Sequence, residues 1–528
     1  MDPDGRADAG VEVIGRYHAA TAHSPRPRRR EHVLAGFRPM VPGNRPAPFK
    51  RYRDVDREPL PVELRPVAGE PGSLDVLAGH ATAGGAVDLD VLARLLYFSA
   101  GVTRFAGGDP ARVWFRASAS AGNLHPLEVY VACGPGSGVG PGLYHFDPES
   151  YALGRLRPVD VRPHLARAAA DPALAAADAV VVVTGIPWRT CWKYAERGWR
   201  HIWWDAGSML ANLLAVAEAH GVAARVVLGF VDRDVSGVLG IDGTSELPVA
   251  AVAIGAESLT TEPPTDVREL DSLDPLDPLD PPVEPISPAP VAFPLVTAAQ
   301  RATELDDPEA VTGWRHAATA GDVSWTGAAT PGPVEVPTSI LSAAAPESVE
   351  SVILRRGSTR VMRPADLPGE VVELALRMAT RPVPLDAVPP GRTLLDHRLA
   401  VHGVDGYAPG LYRWADATLT PLDRRTGEDE ATTRRLSTFL CLGQPLGGDS
   451  AYTVYEAANL DGVLAALGPR GYRAAHVEAG IVNGRLLLAA HALGHGATGL
   501  TFFDDAVREA FGIPVGCLLV TAVGTPAY

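Results

Sequence analysis

Apolar and polar positions in this 528-residue chain fall into blocks whose period switches between helical and strand-like. Leu89 to Val102 repeats its apolar residues at helical spacing, with a glycine near the end, and predicts a helix. Leu127 to Gly134 predicts a strand, and Gly142 to Leu156 predicts two short strands around an Asp-Pro-Glu-Ser turn. The β-branched run Ala179 to Ile186 reads as a buried strand. Asp205 to Gly221 is an apolar helix closed by glycine, and Arg225 to Phe230 is the strand after it. Leu247 to Gly255 ends the series as another buried strand. The same order returns in the second half, down to Cys517–Gly524. The predicted class is α+β, a mainly antiparallel sheet with an apolar helix through its middle.

The return is a duplication. RGWRHIWWDAGSMLANLLAVAEAHGVAARVVLGF, from Arg197, aligns without a gap to RGYRAAHVEAGIVNGRLLLAAHALGHGATGLTFF, from Arg470, at a spacing of 273. Arg200 thereby pairs with Arg473, Gly221 with Gly494 and Phe230 with Phe503. A second echo, PGLYHF at Pro141 and PGLYRW at Pro409, has a spacing of 268. Periods this long exclude stacked short repeats and point to one domain copied once. The expected division is an amino-terminal extension over 1–50, a first domain over 51–255, a linker and connection over 256–345, and a second domain over 346–528. The extension carries the basic run PRPRRR at Pro25–Arg30. The linker carries three LDP repeats at Leu273–Pro281, which predict an extended, acidic, solvated segment. Trp314 and Trp325 are expected to dock the remainder of the connection on a domain.

Composition narrows the function classes. With 46% hydrophobic and 21% charged residues, the chain reads as a soluble globular protein. A net charge of −15 argues against nucleic acid as partner, because phosphate contacts need clustered Lys and Arg. The four cysteines include no CxxC pair, so neither a metal site nor a disulfide framework is expected. The first ten residues do not resemble a signal peptide, and no apolar run reaches the ~18 residues of a membrane span. The expected location is cytoplasmic.

Four constellations could carry chemistry. RASASAGNLHP, from Arg116, is a small, hydroxyl-rich loop before a strand, through which backbone N–H groups can approach a flat or anionic ligand. It could equally be a polar turn. RRGSTR, Arg355–Arg360, suits a phosphate because guanidinium forks bind its oxygens bidentately, although a basic surface turn has the same composition. In CWKYAERGWRH, Lys193 and Tyr194 could form a proton-transfer pair, or a snorkelling lysine beside a core tyrosine. GATGLTFFDD, from Gly496, could set a backbone N–H against a ligand, or be a plain connecting loop.

In this order, the strings SAGNLHPLEVYV, GLYHF, WKYAERGWRH and DAG resemble the nitroreductase-like FMN oxidoreductases, and among them the azoline dehydrogenases of ribosomally made thiazole/oxazole peptides. YHAATAHS, from Tyr17, is similar to that group's amino-terminal element. The resemblance covers about 90–255 well and 350–525 in diverged form. It implies two fused nitroreductase-like domains forming an intrachain pseudo-dimer, possible as a monomer, around one FMN. Arg355, Arg356, Ser358 and Arg360 of the second copy would hold the phosphate, with Gly499 and Leu500 near flavin N5. Ser118, Ser120, Gly122 and Asn123 of the first copy would face the flavin ring, and Lys193 and Tyr194 would be catalytic.

The losses are complementary. The first copy has no arginine in Ser73–Gly85, where the phosphate motif belongs, and the second lacks both SAGNLHP and WKY. The implied activity is oxidation of azolines in a precursor peptide, with a cyclodehydratase as possible partner. Two alternatives stand beside it: an NAD(P)H-dependent flavin reductase of dehydroamino acids or other small substrates, and a flavin-free scaffold of a peptide-modifying complex.

Overall fold

The computed structural model of the protein describes residues 3–25, 40–61, 69–81, 84–108, 112–255, 270, 273–319, 326–344, 346–422, 429–512 and 516–528. The PRPRRR arginines and Trp325 lie outside them. In the first half, seven strands pair antiparallel in the order Arg57–Pro59, Ala152–Arg157, Gly142–Asp147, Leu127–Cys133, Ala179–Gly185, Leu247–Ile254, Ala224–Val227. The continuous apolar runs occupy its centre and are buried along their whole length, which is why they do not alternate with polar residues. The second half builds its own antiparallel sheet, in the order Met362–Arg363, Gly516–Pro526, Tyr452–Ala458, Asp396–Val401, Gly410–Ala415, Thr418–Pro421, with Gly496–Leu500 also paired to Gly516–Pro526. The expected α+β class and the fused tandem architecture hold.

The two long helices, Gly198–Ala219 and Arg470–Ala492, pack against each other between the sheets. Every residue of the second, and all but Glu218 of the first, is buried, so neither helix presents a solvated face and the charged side chains they carry find partners inside. Two matching ion-pair clusters join the halves. Arg200 Nη1 lies 2.8 Å from Asp504 Oδ1, with Arg197 Nη1 3.0 Å from Oδ2. Arg473 Nη1 lies 2.7 Å from Asp232 Oδ1, with Arg470 Nη1 2.5 Å from Oδ2.

A helix buttresses each cluster. Arg200 Nε donates to Thr21 Oγ1 of the Pro3–Thr21 helix at 3.0 Å, and Arg473 Nε donates to Thr303 Oγ1, next to the Pro294–Ala302 helix, at 2.6 Å. The amino-terminal helix holding YHAAT and the helix at Pro294 therefore do the same job in their respective copies.

This changes the reading of the stretch between the domains. Residues 294–302, 308–319 and 338–343 are helical, and Trp314 is buried as expected. The LDP segment is extended and its aspartates are exposed, as expected, but its leucines dock it as a strap. Leu276 and Leu279 pack on the first sheet's outer apolar cluster, and Arg157 Nη1 donates to the Asp277 carbonyl at 2.8 Å. Proline removes backbone donors, so the strap is held by side chains and by carbonyls that accept.

Candidate functional site

The loop from Ser118 to Pro126 leaves the Val113–Arg116 strand and enters Leu127–Cys133. Arg116, at the end of the first strand, ties the loop's far end to its near end by donating to the Leu127 carbonyl at 3.2 Å, and reaches the separate Pro48 carbonyl at 2.7 Å. Asp205, on the first central helix, holds the loop from below. Its carboxylate accepts from Ser120 Oγ at 2.6 Å and from the Ala121 N–H at 3.0 Å, and burial pushes its pKa up to about 7. Asn123 is spent within the loop, donating to the Trp114 carbonyl at 2.8 Å and meeting His125 Nε2 through Oδ1 at 2.9 Å. Ser120 and Asn123 thus shape the loop with their side chains. Ser118 is buried and lines the small cavity above Asp205 and Met209.

Gly122, at φ +63°, is the point where this loop meets the Pro187–Tyr194 helix. A methyl added at Gly122 would stand 2.6 Å from Tyr194 Oη and 2.9 Å from Lys193 Nζ. Both polar tips therefore converge on one turn of backbone. The ammonium lies 5.1 Å over the Tyr194 ring, and that ring stacks on His201 at 4.3 Å. Burial, then the charge of Arg360, lowers the Lys193 pKa. Burial, then Asp205, raises that of Tyr194 against the opposing effect of Arg360. Arg360 belongs to the second half, so the fold brings the two halves' candidate residues to one place.

The remaining RRGSTR residues divide. Arg355, at the end of the Val349–Arg355 helix, is paired with Glu347 and donates to the His491 carbonyl at 2.8 Å. Arg356 turns the other way, into the first half, where Nη2 donates to the Ala117 carbonyl at 2.9 Å. Its Nη1 is buried without a partner, and burial, then neighbouring Arg104, pushes its pKa down to about 10. Ser358 is half-buried beside Thr359, whose Oγ1 is also buried without a partner.

Gly496–Leu500 is a strand, not a connecting loop. Gly499 is exposed, and a methyl there would come no closer than 3.9 Å to Asn483 Nδ2. Leu500 points its side chain into the second half's apolar cluster with Phe502 and Val520, leaving only its backbone for a ligand.

Composition-based reading missed Asp205, Arg104 and Thr359. The signal for Asp205 was present, since the 273 spacing pairs it with Glu478. Glu478 accepts from Thr393 Oγ1 at 2.7 Å and the Leu394 N–H at 2.8 Å, and burial pushes its pKa up to about 7. Thr393 is likewise 273 residues after Ser120. The second copy keeps the carboxylate clip but runs from Thr393 straight into the Asp396–Val401 strand, without the ring loop. On the first copy's side, the Ser73–Ala78 helix ends at Gly79, and Arg381 lies so close that a methyl there would stand 2.3 Å from Nη2. The mirror position is built over with protein.

Two features suit a flavin phosphate and ring. Arg356 presents an orphaned buried guanidinium nitrogen, and Gly122 and Gly499 are bare backbone where a ring can approach closely. No helix among the described residues is long and apolar enough to cross a membrane.

Comparison with known proteins agrees with this architecture. A crystal structure of a nitroreductase from Anabaena variabilis superposes with a TM-score of 0.72 at 25% identity, covering 97% of this chain and 99% of that one. A nitroreductase of Methanocaldococcus jannaschii is 29% identical over 165 residues, 31% of this chain and 78% of its own. The E. coli microcin synthetase complex with truncated pro-MccB17 bound covers 48% of this chain at 20% identity, with a TM-score of 0.28, too low to bear on function. With its matching domain present twice, over residues 85–256 and 353–525, the chain belongs to the Nitroreductase family.

Proposed function

We propose that this protein is an FMN-dependent dehydrogenase that oxidises thiazoline or oxazoline rings of a ribosomally made precursor peptide to the azoles, in concert with a cyclodehydratase. The family is one of flavin-dependent oxidoreductases. The observation that carries the finer reading is the convergence of Lys193 Nζ and Tyr194 Oη on Gly122 of the ring loop, beside Arg360 from the other half. The sequence resemblance ties that Lys-Tyr pair to azoline oxidation.

Arg356, Arg360, Ser358 and Thr359 would hold the phosphate, and the backbone around Gly122 and Gly499 would flank the ring. Bound there, FMN supplies a two-electron acceptor for the hydride leaving the azoline, with molecular oxygen as terminal oxidant. The protein's task is the proton that must leave the same ring. Lys193 is the better base, because burial and Arg360 favour its neutral form, whereas burial keeps the Tyr194 phenol protonated as a donor that holds the substrate. Asp205 fixes the loop from beneath, acting through Ser120 and Ala121. The stacked, buried His201 is held neutral by burial and by Arg197 and Arg200, so no imidazolium competes with the Lys-Tyr pair as an acid.

The test is incubation of the purified protein with an azoline-containing peptide, following the loss of two hydrogens per ring by mass spectrometry. Consumption of NAD(P)H without azoline oxidation would assign the site to a reductase. A colourless protein that takes up no FMN would leave a scaffold.

A further inference from the structure

We propose that Arg104, contributed by the first half, is a further ligand of the flavin phosphate, so that the phosphate is gripped from both halves at once. This rests on the reading of the site as an FMN site. The phosphate motif in the sequence lies wholly in the second half, and Arg104 is outside it.

The geometry begins with a hairpin. Val102–Ala106 pairs with Val113–Arg116 as a separate two-stranded ribbon, with a register shift between Val102 and Arg104. A bulge of this kind redirects the side chain that follows it. Arg104 sits opposite Phe115 in the ladder, and its guanidinium lies 5.0 Å over that ring. The contact fixes the direction of a long side chain that would otherwise be free to roam.

That direction is toward the RRGSTR turn. A methyl added at Gly357 would stand 3.1 Å from Arg104 Nη2. Arg356, one residue earlier, is anchored on Ala117, just beyond the same ribbon, with its Nη1 buried and unpartnered. The charge of Arg104 is close enough to Arg356 to oppose that buried guanidinium's own charge.

Among the described residues neither guanidinium forms an ion pair with a carboxylate, in contrast to Arg355, which Glu347 satisfies. Two like charges brought together, one of them buried, cost free energy unless an anion lies between them. A phosphate monoester dianion fits, since it accepts bidentately from more than one guanidinium. Glycine at position 357 keeps the space between them open.

Two consequences follow for binding. FMN should be preferred over riboflavin by more than the second-half residues alone provide, and FMN should stabilise the contact between halves by binding only their assembled form. The experiment titrates full-length apoprotein with FMN and with riboflavin, following quenching of flavin fluorescence, for the wild type, Arg104→Gln and Arg356→Ala.

Arg104→Gln should weaken FMN about 10- to 100-fold and leave riboflavin unchanged, as expected for one lost charge-assisted contact. Arg104→Lys should recover part of the loss, because it restores charge without the fork. FMN affinity unchanged in Arg104→Gln, or FMN and riboflavin weakened alike, overturns the proposal. If Arg356→Ala alone abolishes the preference for FMN, the phosphate site stands and Arg104 is not part of it. Wild-type protein that binds neither flavin removes the site reading and this inference together.

Discussion

Gly207 and Gly480 lie back to back where the two central helices cross. A methyl on Gly207 would stand 2.3 Å from the Val477 carbonyl oxygen, and one on Gly480 would stand 2.5 Å from the Trp204 carbonyl oxygen. Both Gly207 to Gly480 and Trp204 to Val477 are separated by 273 residues, the period of the duplication. The crossing is therefore the pseudo-twofold axis, and backbone touches backbone there.

Neither glycine tolerates a side chain without moving a helix. Gly207→Ala and Gly480→Ala should each lower stability by about 1–3 kcal/mol, the usual cost of overpacking a filled interior. Urea denaturation checks this. Equal stability of both variants with the wild type would mean that the helices separate more readily than their packing indicates.

Gly122→Ala tests the ring loop. The substitution places a methyl at φ +63° and against Tyr194 Oη, so it adds roughly 1–2 kcal/mol of backbone strain to a steric conflict. The conflict can be relieved only by displacing Lys193 and Tyr194 or the loop. Azoline oxidation should fall much more than the melting temperature, and a variant with full turnover would place the reacting ring elsewhere.

Lys193→Ala and Tyr194→Phe should each reduce turnover by about 10²–10⁴-fold while the FMN content per chain stays that of the wild type. A base works deprotonated, so the rate should rise with pH through the Lys193 pKa, which lies below the ordinary lysine value. Arg360→Gln removes one of the two causes of that depression and should move the rise to higher pH. A pH–rate profile unmoved in Arg360→Gln would take Lys193 out of the proton's path.

Glu456 offers a pH test of stability. It is fully buried, with Oε1 accepting from Thr521 Oγ1 at 3.0 Å and Oε2 unpartnered, and burial pushes its pKa up to about 8. The folded state therefore holds a proton that the unfolded chain releases near the ordinary carboxylate value, so stability falls as pH rises between those two values and levels off above about 8. Glu456→Gln removes this term. It should gain on the wild type by up to about 1.4 kcal/mol per pH unit across that window, in denaturation measured from pH 5 to 8. A pH-independent difference would show that Glu456 is ionised in the fold.

The sequence by itself determined the duplication, the class of fold and the central strands and helices, and it singled out the strings from which the candidate site is built. These are legible because burial imprints its period locally: Ala179–Gly185 and Leu247–Ile254 read as buried strands since both their faces are covered. The shared 273 spacing even marked the Asp205–Glu478 pair, although composition did not single it out.

Tertiary structure alone decided which atoms within those strings face one another. Ser120 and Asn123 look like ligand contacts in sequence, yet their side chains close their own loop, while Arg355 closes on Glu347. The docking of the LDP strap and the approach of Arg104 to Gly357 leave no periodic trace. Each depends on packing between segments more than a hundred residues apart, and local pattern does not encode where a distant surface will lie. The site is a product of how two half-domains meet across Gly207 and Gly480.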